Sequence, residues 1–168
     1  QNQDKKTQRH DKPVQFHAFW NKHIYPEAWQ TLLVYISSGH NGLIGVSNDF
    51  ERRRTAPSEQ YEDSSSMSGE PIQRGTEITV IPELKDFRFN PPMAKVLFLE
   101  DWHCAEFRMQ VLPGSKHRPN EMVEGQISFY VGPLLIGANE LYVTVMDSES
   151  SKLDQAADQT RYPVKNST

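Results

Sequence analysis

A chain of 168 residues suits one domain, long enough for a hydrophobic core that needs no staples. Its formal net charge of −4 and isoelectric point near 5.9 argue against a nucleic-acid footprint; the one local basic run, ERRR at 51–54, reads as a solvated face. A single cysteine excludes an internal disulfide framework, and no apolar run nears the roughly 20 residues that span a bilayer, so a cytoplasmic protein is expected.

Residues 1–13 are polar and charged and read as a flexible lead-in; QNQDKK, with no methionine, has the pattern of a piece of a longer protein. From residue 14 a period of two begins, with Val14, Phe16 and Ala18 pointing one way and Gln15 and His17 the other. WQTLLVYIS (29–37) is apolar on both faces and therefore predicts a central strand. SSGHNG (37–42) reads as a turn. Beyond it Leu43, Val46 and Phe50 recur at helical spacing, which predicts a short amphipathic helix near 43–56, limited by Pro57. DSSSMSGEP (63–71) reads as loop.

Strand patterns then resume with TEITVIP (76–82), FRFN (87–90), KVLFLE (95–100) and HCAEFRMQVL (103–112). A polar hairpin loop at 113–125 leads to GQISFYVGPLLIG (125–137) and NELYVTVM (139–146), and 147–168 reads as a linker or tail. About eight short strands with turn signals and one helical insertion predict a mainly β fold, an antiparallel β-sandwich over 14–146. Phe16, Leu32, Val34, Ile78, Val80, Phe98, Phe107, Phe129 and Val143 are the expected inward residues. A parallel nucleotide-binding sheet, a glycine-rich phosphate loop and a serine elbow are all missing from the pattern.

FLEDWHCAEF (98–107) is the densest concentration of reactive side chains. On a strand, Cys104, Glu106, Arg108 and Gln110 face one way and Ala105, Phe107, Met109 and Val111 the other, so His103 lies opposite Cys104 and cannot activate it. A base for Cys104 would have to come from His17 or His23. None of the six histidines has metal-ligand spacing, which leaves only a site assembled from His17, His103 and Glu100 or Asp101. Glu100 and Asp101 could act as acid and base only within a cleft, and Trp102 reads as cover for the sandwich end. The stretch is expected to be a strand corner. Glu100, Asp101, Trp102, His103 and His17 are the secondary candidates for a ligand site, and no catalytic, metal or cofactor residue is assigned.

A second stretch, around Pro133, points outward. A proline inside a strand belongs at an edge or a bulge, so 131–136 should interrupt regular pairing and leave Tyr130, Leu134 and Leu135 as a partly exposed apolar patch for an interface. The alternative is that the predicted helix folds over this patch.

FWNKHIYPEAWQTLLVYI (19–36), RGTEITVIPEL (74–84), LEDWHCAEFRM (99–109) and GQISFYVGPLLIG (125–137) occur in an order that resembles the region preceding the TIR (Toll/interleukin-1 receptor) domain in some bacterial proteins. That resemblance implies a non-catalytic sensor or assembly module for signalling in immune defence. It would be joined through 147–168 to a TIR effector that cleaves nicotinamide dinucleotide and is switched on by oligomerisation. The expected partners are a fused effector or copies of the chain itself. The competing class is a small ligand- or carbohydrate-binding sandwich, or a small enzyme around Trp102 and His103.

Overall fold

The computed structural model describes residues 13–147. Apart from Pro13 and Asp147, the expected lead-in at 1–13 and tail at 147–168 lie outside the described residues. In chain order come β1 (Gln15–Asn21), β2 (His23–Ile24), β3 (Gln30–Ser37), α1 (Gly39–Arg53), a 3-10 turn (Ser58–Gln60) and β4 (Tyr61–Met67). They are followed by β5 (Thr76–Leu84), β6 (Phe87–Asn90), β7 (Ala94–Phe98), β8 (Trp102–Val111), β9 (Glu121–Val131) and β10 (Leu134–Val145).

Two five-stranded sheets result, in the orders β4-β1-β3-β8-β6 and β2-β10-β9-β5-β7. Every pairing is antiparallel except β10 with the short β2. The fold is the expected mainly β, sandwich-like architecture with one helix, built from about ten strands rather than about eight.

The core lies between the sheets. All nine expected inward residues are buried there, and Phe16 of the first sheet stacks on Phe129 of the second with ring centroids 3.9 Å apart. Gly137 is small for that reason: a Cβ on it would stand 2.7 Å from the Phe16 ring.

Along one side the sheets are stitched by side chains instead of a strand ladder. β10 has β2 as a partner only at Thr144 and Val145. Beyond that point Trp20 Nε1 donates to the Tyr142 carbonyl at 2.6 Å, and Asn139 Nδ2 donates to the carbonyls of Phe16 at 3.1 Å and Ser64 at 3.2 Å. Asn139 is thus a buried amide whose donors are satisfied by the facing sheet, which is the condition for a polar group at that depth.

The departures from the sequence reading have local causes. Part of the loop expected at 63–71 is β4, a serine-rich strand held by its full-length backbone register with β1. The helix occupies Gly39–Arg53 rather than 43–56: Gly39 and Gly42, read as part of a turn at 37–42, belong to its first turn, and Gly42 packs against the Asp101 carbonyl. Finally, 125–137 is not one strand interrupted at Pro133. Gly132 and Pro133 form the two-residue turn joining β9 to β10, where φ of 55° at Gly132 suits the first central position of a tight hairpin.

Candidate interaction surface

The Trp102–His103 corner is occupied by structural contacts. His103 Nε2 accepts hydrogen bonds from the backbone N–H groups of Leu99 and Glu100, both at 3.0 Å, and so closes the turn between β7 and β8. Accepting twice at Nε2 requires a neutral ring protonated at Nδ1. Burial, aided by Arg74 and opposed by Glu100, lowers the His103 pKa to match. Asp101 pairs with Arg74, whose guanidinium also donates to the Leu99 carbonyl at 2.8 Å and lies over the Phe98 ring. The Trp102 ring lies against Gly45, where a Cβ would stand 2.1 Å from it.

His17 does not join this group. It stands opposite Tyr35 on the outer face of the first sheet, whereas His103 stands opposite the core residue Ile36. The two imidazoles therefore lie on opposite faces. Burial lowers the His17 pKa, against the pull of Asp63. Among the described residues no group of three or more His, Cys, Asp or Glu is arranged to hold a metal ion.

Cys104 faces outward beneath α1, against Leu33, Tyr35, Val46 and Phe50. Burial pushes its thiol up to about 11, outweighing Arg53 and the Tyr35 hydroxyl, so it stays protonated and poorly nucleophilic at neutral pH. Beside it lies a polar knot that sequence reasoning missed. Asp49 is 3% exposed and accepts from the Tyr35 hydroxyl at 2.8 Å, Arg52 Nη2 at 2.5 Å and Arg53 Nε at 2.6 Å. A signal was present, since positions 46, 49, 50 and 53 share one helical face and an acid between Val46 and Phe50 must be buried with partners.

The surface left open is the tip of the β9–β10 hairpin. Tyr130 and Leu135 are paired in register on the outer face of the second sheet, and a bulge between Leu135 and Gly137 turns the strand. Leu134 is 60% and Leu135 53% exposed, while Tyr130 is half-buried. Alongside runs a groove of about 480 Å³ whose walls include Ile72, Val131, Leu134 and Ile136, with Glu70 and Gln73 at its polar side. α1 does not cover this patch, contrary to the alternative that it would; it packs on β3 and β8 of the other sheet.

No protein-family model matches the chain, and no curated protein matches it significantly.

Proposed function

We propose that this domain is a non-catalytic interaction module that associates with copies of itself through the β9–β10 tip and thereby regulates an attached effector. The supporting observation is the exposed pair Leu134 and Leu135 beside an apolar groove at the same end of the molecule. A contact about a two-fold axis places one copy's tip against the other's groove, so one patch supplies both halves of a closed interface. The resemblance carried by 19–36, 74–84, 99–109 and 125–137 favours a bacterial TIR domain as the effector, in cytoplasmic immune-defence signalling switched on by assembly. No helix among the described residues is long and apolar enough to cross a membrane.

The test is Leu135→Glu, followed by light scattering over a concentration series and by thermal melting. A wild-type mass that rises with concentration, lost in the variant at an unchanged melting transition, is the expected result. A wild-type protein that stays monomeric throughout, or a variant whose melting transition collapses, would overturn the interface.

A further inference from the structure

Arg88, on the edge strand β6, is held in place by two groups, neither of which neutralises it. Its Nε donates to Gln110 Oε1 at 2.8 Å, and its Nη2 donates to the same oxygen. The guanidinium lies over the Trp29 ring, 5.0 Å from the centroid, and that ring is 41% exposed. Gln110 is itself only 8% exposed and oriented from behind, because its Nε2 donates to the Glu27 carbonyl at 2.7 Å. Among the described residues no carboxylate is paired with Arg88.

A guanidinium offers five N–H groups. Two go to Gln110, which leaves the Nη1–Nη2 end of the fork with one N–H from each nitrogen, the geometry that grips a carboxylate through two parallel bonds. Arg88 and Gln110 line a cavity of about 290 Å³, together with Pro26, Glu27, Leu112 and Pro113.

Another part of the lining is built with backbone strain. Tyr25 to Ala28 is a tight turn closed by Ala28 N–H to the Tyr25 carbonyl at 3.3 Å, with Pro26 at its second position and Glu27 at its third with φ of 71°. That third position ordinarily holds glycine, and a non-glycine residue kept there is a feature that clusters at binding sites.

We propose that this cavity binds a carboxylate flanked by an apolar group, either a free apolar amino acid or the C-terminus of a peptide. Arg88 takes the carboxylate, and Pro26, Leu112 and Pro113 contact the apolar part. Glu27, lining the same cavity, repels a doubly charged phosphate more than a single carboxylate, which separates the two anion classes. This site is independent of the hairpin interface, since it lies at β6, β8 and the turn before β3.

The experiment follows the Arg88 Nε–H and Trp29 indole N–H signals by NMR while leucine, N-acetyl-leucine and leucinamide are titrated into the protein. Saturable shifts with N-acetyl-leucine and none with leucinamide are expected. Equal binding of leucine marks a free amino acid as ligand, and binding of N-acetyl-leucine alone marks a peptide terminus. Arg88→Lys should weaken binding by about tenfold or more with the melting transition unchanged, because a point charge cannot replace the fork. Shifts that never saturate, leucinamide binding as well as the acids, or full affinity in a folded Arg88→Lys variant would each overturn the site.

Discussion

Leu33, Tyr35 and Cys104 point away from the sandwich core on the first sheet and meet Val46 and Phe50 of α1. On the second sheet the outward residues Glu77, Glu83 and Gln126 are exposed to solvent, and apolar groups that share this face, such as Ile81, Leu97, Tyr130 and Leu135, are half-buried or exposed. The difference shows in the strands themselves. β3 reads LLVYI without alternation because it is buried on both faces, whereas in β5, TEITVIPEL, buried residues alternate with half-buried or exposed ones because one face is wet. The first sheet thus carries a second core on its back, while the second keeps its outer face open to solvent.

The largest consequence of that contrast is energetic. Phe50 is 8% exposed, stacks on Phe19 with centroids 4.1 Å apart and meets Tyr61 edge-on at 5.2 Å. Phe50→Ala should cost about 3 kcal/mol in a urea denaturation series. Leu135→Ala, on the open sheet, should stay within about 0.5 kcal/mol of wild type. Equal losses at the two sites would erase the distinction between covered and uncovered faces.

Much of this architecture could be read from residue patterns, and the places where reading failed share a cause. Period-two placement identified Phe16, Val80, Phe107 and the rest of the inner face, since burial on one side of a strand imposes that period. β4 escaped because YEDSSSM carries no apolar alternation; its stability comes from backbone pairing with β1 and from Asn139 reaching across to the Ser64 carbonyl. The start of α1 escaped because glycines needed for close packing look like turn residues. The Trp102–His103 corner was legible as a corner, but not the Nε2 contacts that occupy His103, which depend on how the chain bends between β7 and β8. The Asp49 knot depends on Tyr35 from another element, and the Arg88 fork depends on Gln110 from a neighbouring strand. The helical pattern marks Asp49 as an acid on the buried face, but no linear pattern says which residues of other elements these groups meet.

A smaller effect sharpens how closely α1 is seated. A Cβ on Gly42 would stand 2.5 Å from the Asp101 carbonyl oxygen, a backbone atom that cannot swing aside. Helix propensity alone would make Gly42→Ala stabilising by about 1 kcal/mol. The contact reverses that sign, and a net loss of about 1–3 kcal/mol is expected from denaturant melts. A gain in stability would mean that the helix does not approach the sheet this tightly.

The smallest expected effect depends on pH and isolates the charge that fastens α1 to its sheet. Burial on its own would raise the Asp49 pKa, but the hydrogen bonds from Tyr35, Arg52 and Arg53 outweigh it and hold the carboxyl below its ordinary value of 3.8. A carboxyl lowered in the folded state stabilises the fold above its unfolded pKa, and that contribution disappears as pH falls through the folded value. Asp49→Asn keeps an acceptor for the Tyr35 hydroxyl and gives up the charge. Because Arg52 is largely exposed, the loss at about pH 7 should be modest, about 1 kcal/mol. The gap between wild type and variant should hold at neutral pH and close as pH falls below the ordinary carboxyl value, through the lowered folded value, where the wild-type carboxyl takes up its proton. Urea melts of both proteins across that range measure it directly. A gap that stays constant to the acid limit would show that Asp49 fastens the helix by shape alone, and that its charge contributes nothing to the covered face.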